Sequence, residues 1–526
     1  MKINKIKIKF NIFVLLITLS VFLLVLSTKN TAYAEEAAKE TEKTEETTET
    51  EAVKETNEDN EAKKDEKDKE DKEDKEDKED KEDKEDKEDK EDKEDKESKE
   101  DKESKESKED GFEFKGAKLK FITGTFDGKD SLDIDFPIEM KDAIAEYIDE
   151  AAKIISIEKK EFNVKNPNIV VLHSGEKYYV ITAINAYKDV QDNIIDKVNI
   201  ESEITYDKTK LKIKLKLKDV KDEKKDIKYS ICYASMNEKP FQTQEAFKLV
   251  DMKYRLDKHC IIPDGYYYQM NPRSVPYKES YFFLQGAIYI ANTHLDTIDS
   301  KFSQVMTAKL IDDTAKKLND DGYYPIPYRS EWLKADYNIG KGYFDTRWNL
   351  DYAYICLRMY EKFQDQKYLE LADKVLTYYK KYANQNAIKI PYKEDACLVM
   401  DYGAEYYIGM THSSLNHHLM GLKALMYEDL LKEKPVNTEF IKKMLNGVEA
   451  TCNSWIKKNG DLEYAIFVNG TYGLKDYPDL TLNDLRDCQA LHEKLYKSKN
   501  ASLETLIVSK QAWYDNVYKK QVSKKK

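Results

Sequence analysis

The stretch from Glu35 to Asp110 limits what this chain can fold into, because it gives a fold nothing to build on. It ends in an almost unbroken Lys-Glu-Asp triplet repeat with no apolar side chain to bury. Ordering a residue costs on the order of 1–2 kcal/mol of backbone entropy, and no buried area offsets that here. Opposite charges four apart could support a lone charged helix, but Asp is a weak helix former and acids also meet at that spacing. Disorder is therefore the expectation for residues 35–110, a solvated linker whose role is reach. It also distorts the charge balance. Of the overall net charge of −13, residues 35–110 contribute −20 and residues 1–34 contribute +5, so residues 111–526 carry +2. The foldable body does not repel a polyanion as a whole.

Residues 1–34 have the pattern of a secretory signal: Lys2, Lys5, Lys7 and Lys9, an apolar run from Val14 to Leu26, then Ala32-Tyr33-Ala34. The run is short for a membrane span. A secreted or cell-surface protein is expected, with surface association through the charged linker or an uncleaved anchor as alternatives.

Two textures divide the body. Residues 111–245 read as a β-rich module. Lys210 to Lys218 alternates strictly, with Leu211, Ile213, Leu215 and Leu217 on one face. Lys177–Tyr187 and Ile227–Met236 are further strand candidates. Ile144, Tyr147, Ile148, Ala151 and Ile155 stand at helical spacing and predict one helix near the start of the module. The lysine face of 210–218 reads as an exposed strand protected by charge.

From residue 246 to 526 the pattern turns helical, and 30 of the 38 tyrosines lie between Tyr254 and Tyr518. Trp348, Tyr352, Ile355, Met359 and Phe363 mark one helix face. Leu371, Ala372, Val375, Leu376 and Tyr379 mark the next, after a turn at Gln364-Asp365-Gln366. Phe440, Met444, Val448, Cys452 and Trp455 give another face, and Leu503, Leu506, Ile507 and Trp513 a fourth. Helices of this length joined by short loops are αα-hairpins. The fold class expected is multi-domain, with a mainly-β, sandwich-like N-terminal module followed by a helical domain.

The stretch Tyr402–Leu422 changes character in its middle. Glu405, Tyr406 and Tyr407 lead into Thr411-His412-Ser413-Ser414, and Leu415, Leu419, Leu422 and Met426 then repeat at helical spacing. Hydroxyl residues just before such a pattern predict a helix start, with Asn416 in the first turn. Glu405-Tyr406, eight residues, then Leu415-Asn416 with Gly421-Leu422 beyond resembles the C-terminal domain of D-glucuronyl C5-epimerases. Tyr464 in GDLEYAIF, and Asp476-Tyr477 followed by Leu482-Asn483, are similar to two further motifs of that family. Ile466, Phe467, Pro478 and Leu480 depart from the Arg and His residues of the animal enzymes. The resemblance covers about Asp264 to Lys499. It implies an (α/α) toroid-type catalytic domain, catalytic tyrosines at Tyr406, Tyr464 and Tyr477, and Glu405, Asn416 and Asn483 as substrate-binding residues.

Arginine is scarce: only six of 88 basic residues, at 255, 273, 329, 347, 358 and 486. Arg grips a carboxylate through a planar fork that Lys lacks. Arg273, Arg329 and Arg347 lie in aromatic, loop-like stretches and are candidates for reading a uronate. Trp348, Tyr343, Tyr407 and Tyr472 are candidates for stacking on sugar rings. The six cysteines have no CxxC spacing, and Cys356, Cys452 and Cys488 fall within helical patterns as buried thiols. Spacings of five and six do not set His412 beside His417 or His418 on one helix face, so no metal or other cofactor is expected. No nucleic-acid motif is present. The expected partner is an acidic, uronate-containing polysaccharide.

Four functions remain open. A uronate C5-epimerase, the leading expectation, would remove and return the C5 proton. A polysaccharide lyase shares the first step and then expels the C4 substituent. A glycoside hydrolase needs two opposed carboxyl groups, for which Asp345, Asp395, Asp401, Glu405 and Glu463 are available. A non-catalytic glycan-binding protein would leave its ligand unchanged.

Overall fold

The computed structural model describes residues 111–525 except 138–139, 141, 159–160, 208–209, 221–223, 257 and 405–409. The expected signal and linker lie outside the described residues. Two antiparallel sheets face each other across the N-terminal module. The smaller has four strands in the order Ser131–Asp135, Lys210–Leu217, Ile200–Asp207 and Glu161–Lys165. Its inward residues, among them Ile134, Val164, Ile204 and Ile213, pack on Leu172, Ile181 and Ile231 of the larger sheet and on Phe126 at the end of one of its strands. Each strand of such a pair needs one apolar face, which the alternation along Lys210–Leu217 supplies. Its lysines point outward opposite acids: Lys212 pairs in register with Asp135, and Lys216 with Glu201.

The helix expected from Ile144 to Ile155 is instead a β-hairpin of Ile144–Ile148 with Ile154–Ile157. Asp149 decides it. Its carboxylate accepts the N–H groups of Ala151 (3.0 Å) and Lys153 (2.8 Å), and Ala152 turns left-handed at φ 57°. A side chain that caps its own following amides favours a turn over a helix.

The eleven-stranded sheet crosses the boundary expected at residue 245. Strand Ile194–Val198 pairs with Tyr281–Gln285, which continues through Gly265–Gln269 to His259–Ile262. One apolar core then runs from Ala117 and Leu119 in the sheet through the helices to Leu506. Module and helices thus share a sheet and a core.

The helices are α1 (Gln244–Arg255), α2 (Ile288–Asp296), α3 (Lys301–Ala315), the short α4 (Glu331–Tyr337), α5 (Thr346–Phe363), α6 (Gln366–Gln385), α7 (Leu415–Leu431), α8 (Thr438–Thr451), α9 (Leu480–Tyr496), α10 (Ala501–Trp513) and α11 (Lys519–Lys525). Consecutive long helices form four αα-hairpins: α2–α3, α5–α6, α7–α8 and α9–α10. The first helices of the hairpins pack in a row, α2 on α5, α5 on α7 and α7 on α9. The turn predicted at 364–366 is present. Gln364 is left-handed at φ 54°, and the Asp365 side chain caps α6 by accepting the Lys367 N–H at 3.1 Å. All six cysteines are buried free thiols.

A three-stranded ribbon closes the loop end of the last two hairpins. Ser413–Ser414 pairs with Glu463–Ile466, which pairs with Tyr472–Lys475. Its base is fixed by Lys510 of α10, whose side chain is wholly buried. The ammonium meets Asp461, just before the ribbon, at 2.5 Å and Asp476, just after it, at 2.8 Å. Thr481 donates to the same Asp476 at 2.6 Å. Lys510→Met would leave Asp476 without its cation and Asp461 with only the more distant Lys457 at 3.9 Å, and an unmatched buried charge costs about 3–5 kcal/mol. Urea unfolding of Lys510→Met should show a loss of that size, and an unchanged midpoint would contradict the clamp.

Candidate functional site

Two buried acids are brought together by a minimal pair of strands. Phe344–Asp345 pairs with Tyr402–Gly403, and the Thr346 N–H donates to the Asp401 carbonyl at 3.0 Å. Gly403 is required there, since a Cβ would come within 2.3 Å of the Tyr382 ring. Asp345 is the N-cap of α5 and accepts the Trp348 N–H at 3.1 Å. Asp401 Oδ1 accepts the Ser414 N–H at 2.7 Å. The hydroxyls before α7 therefore do not cap it as the sequence suggested. Ser414 caps without a side-chain bond, because its backbone belongs to the ribbon and its N–H serves Asp401.

Two histidines converge on Asp401. His412 Nε2 lies 3.2 Å and His417 Nε2 3.8 Å from Asp401 Oδ2, while His417 Nδ1 lies 4.0 Å from Asp345 Oδ1. His417 Nδ1 also meets the Thr346 hydroxyl at 2.8 Å, and His412 Nδ1 meets the Tyr337 hydroxyl at 2.7 Å. Helix spacing alone did not suggest this grouping. His412 is in the segment before α7 and His417 in its first turn, so tertiary structure rather than one helix face unites them. Among the described residues no group of His, Cys, Asp and Glu is arranged to hold a metal ion.

The environment separates the two acids electrostatically. Burial alone would raise Asp401, but His417, His412 and the Ser414 bond outweigh it and hold the carboxyl below its usual range. Asp345 is pushed up to about 7, chiefly by burial and then by the charge of Asp401. Burial drives His417 down to about 4, so that ring is neutral at pH 7.

Around this floor stands an aromatic wall. His412 is 6.0 Å from the Trp332 ring, 5.7 Å from Tyr337, 5.8 Å from Tyr402, 6.0 Å from Tyr464 and 5.9 Å from Phe467. Tyr343 abuts Tyr402 at 6.1 Å. Tyr464 and Tyr477 meet edge to face at 5.8 Å. Burial, then Tyr477 and the nearby acids, raise the Tyr464 phenol well above its ordinary value. No cation offsets this, and Tyr464 stays protonated. Five buried polar atoms gather here without an aligned hydrogen-bond partner, namely Asp401 Oδ2, His412 Nε2, Ser413 Oγ, Ser414 Oγ and Asn416 Oδ1.

The other expected site residues divide. Glu405, Tyr406 and Tyr407 lie outside the described residues. Asn416 is in the first turn of α7, as predicted. Asn483 is exposed on α9, and it is Asp484 that turns inward. Arg347 is not available to a substrate. Its guanidinium donates to Asp351 (3.1 Å), the Asn416 carbonyl (3.2 Å) and Asp484 (2.5 Å), tying α5, α7 and α9 together. An arginine at a helix start beside buried acids is consumed by them. Arg329, exposed and paired with Glu331 at 2.5 Å, is on the short strand that leads into α4, and Arg273 just precedes the strand Ser274–Val275 that pairs with it. Trp348 packs edge-on against Tyr289 at 5.8 Å, and Tyr472 against Trp455 at 5.1 Å on the far side of the ribbon. Asp395 bonds Asn446 at 2.7 Å, and Glu463 pairs with Lys457 at 3.5 Å, so neither joins Asp345 and Asp401. Sequence reasoning missed Trp332, Tyr337 and the grouping of His412 with His417, because no spacing along the chain links them.

No protein-family model matches the sequence, and no curated protein matches it. Solved structures with partial likeness include a D-mannose isomerase (16% identity, TM-score 0.32, covering 44% of this chain and 58% of that one). A cellobiose 2-epimerase from Spirochaeta thermophila aligns at 12% identity and TM-score 0.33, over 44% of this chain and 57% of that one. An unsaturated glucuronyl hydrolase specific for heparin aligns at 14% identity and TM-score 0.31, over 47% and 62%. The chain spans less than two thirds of the length of each.

Because Asp345 titrates at about 7 in the fold, above its ordinary 3.8, ionising it opposes folding. Its contribution is lost as pH rises from about 4 to about 7, at up to about 1.4 kcal/mol per unit. Asp345→Asn keeps the capping oxygen and removes that loss. Its stability advantage over the wild type, measured by urea unfolding, should be larger at pH 8 than at pH 5. An equal difference at both would contradict the shift.

Proposed function

We propose that this chain is a carbohydrate-active enzyme that exchanges a carbon-bound proton of an acidic sugar, acting as a uronate C5-epimerase on a polysaccharide outside the cell. The observation that carries the reading is the contact between Tyr464 and Tyr477 beside the buried Asp401–His412 pair. Tyr464, on the ribbon, meets the His412 ring at 6.0 Å, and Tyr477, 13 residues on and just past the ribbon, meets Tyr464 at 5.8 Å. The protonated Tyr464 suits the donor side, returning a proton to C5. Exposed Met410, Leu474, Tyr477 and Leu480 form an apolar rim against which sugar faces can stack. Arg273 and Arg329, beside α4, are the guanidinium groups proposed to read the substrate carboxylate.

A second reading has its own support. Asp345 at about 7 beside an ionised Asp401 is the separation of carboxyl pKa values that serves a glycoside hydrolase.

The test is reaction with glucuronate- and mannuronate-containing polymers in heavy water. An epimerase places deuterium at C5, a lyase makes unsaturated sugar, and a hydrolase makes new reducing ends. Tyr464→Phe should slow C5 exchange by about a hundredfold or more without unfolding the chain, and Tyr477→Phe, which alters only the neighbour of Tyr464, should slow it less. Arg273→Lys or Arg329→Lys should weaken binding of the same polymer. Full exchange by both Phe variants would remove the tyrosine roles, and reducing ends without deuterium would favour the hydrolase.

A further inference from the structure

The opposite side of such a reaction needs a base, and Tyr464 and its buried neighbours Tyr343 and Tyr402 are poor choices. Each is driven well above its ordinary value by burial, with no cation to favour the phenolate. Tyr337, partly buried like Tyr464, differs in its partner: it ends α4, and its hydroxyl lies 2.7 Å from His412 Nδ1.

The tautomer follows from the other side of the ring. The ionised Asp401 Oδ2 lies 3.2 Å from His412 Nε2 and would repel a nitrogen lone pair there, so Nε2 carries the proton, although the pair is not aligned as a hydrogen bond. In the neutral ring His412 Nδ1 is a lone-pair acceptor, and Tyr337 O–H is the donor. Oxygen, imidazole and buried carboxylate stand in the order of a nucleophile–histidine–acid relay, with a phenol in the first place. The carboxylate is itself fixed by the Ser414 N–H at 2.7 Å.

We infer that Tyr337 is the base of the proton exchange, with His412 taking the phenol proton and Asp401 holding the imidazole. The inference rests on the reading of the site given under Proposed function. In the first step the Tyr337 O–H proton passes to His412 Nδ1 while the oxygen takes the C5 proton. The C–H electron pair moves into the adjoining carboxyl group. Tyr464 then gives its O–H proton to the other face of C5, which inverts that carbon. His412 loses its extra proton to water and the Tyr464 phenolate regains one from water, so no redox partner is needed. Tyr337 and Tyr464 both flank the His412 ring, at 5.7 and 6.0 Å, which places the two phenols at one site.

Two measurements on the full chain test it. The first is 15N spectroscopy of histidine-labelled protein, with His412 assigned by the signal lost in His412→Gln. It should show a protonated Nε2 and an unprotonated, hydrogen-bonded Nδ1, and Tyr337→Phe should remove only the effect of that bond. A proton on Nδ1 would overturn the relay whether or not a substrate is known. The second is C5 deuterium exchange on the polymer that the wild type turns over. Tyr337→Phe should lower it about a hundredfold or more while polymer binding is kept. Wild-type exchange by Tyr337→Phe would overturn the base but leave the epimerase reading intact. Absence of exchange by the wild type on every uronate polymer would overturn both.

Discussion

A carboxylate with no solvent exposure, Asp401, governs the arrangement of the helical half. Burying an ion costs several kcal/mol unless its surroundings replace the water it loses. Here the replacements come from the Ser414 amide and from His412 and His417, which flank the start of α7 in sequence. The Asp401 backbone is tied in turn to Thr346 at the head of α5 and to His412. The heads of α5 and α7 and the first strand of the ribbon are therefore fixed to one charge. Asp345, beside it, cannot share that charge cheaply and is raised.

A second buried charge supports the first from behind. Lys510 joins the two ends of the segment from Asp461 to Asp476, which carries Tyr464 and stops just before Tyr477. Arg347 does similar work between α5, α7 and α9. Both cations are consumed by the fold. Burial raises the phenols of Tyr343, Tyr402 and Tyr464 well above their ordinary value. The Tyr337 hydroxyl instead meets an imidazole nitrogen, His412 Nδ1, at 2.7 Å.

The sandwich is more than an appended module. Its larger sheet runs on to Gln285, and α3 packs on the strand Ala117–Thr125. The short strands and α4 that follow position Arg273, Arg329, Trp332 and Tyr337. One wall of the site thus descends from the end of the sheet and the other from the helix heads.

The sequence determined whatever depends on neighbours along the chain. Alternation from Lys210 to Leu217 required a strand with one buried face. The repeats at Trp348–Phe363 and Leu371–Tyr379 required two helices, and the residues between them required a turn. Local order also misled: the apolar spacing at Ile144–Ile155 suited a helix, and the Asx turn at Asp149, one side chain acting over four residues, made a hairpin. Tyr464 and Tyr477 were picked out together by the resemblance of their flanking residues to C5-epimerase motifs, and their rings meet at 5.8 Å. Only the tertiary structure decided that Arg347 is occupied by Asp484, 137 residues away, and that His412 reaches Tyr337, 75 residues away. Periodicity reports which face of an element is buried. Which charge a buried charge meets is settled by the packing of separate elements, because the cost of leaving it unmatched is levied by the whole interior and not by its neighbours in sequence.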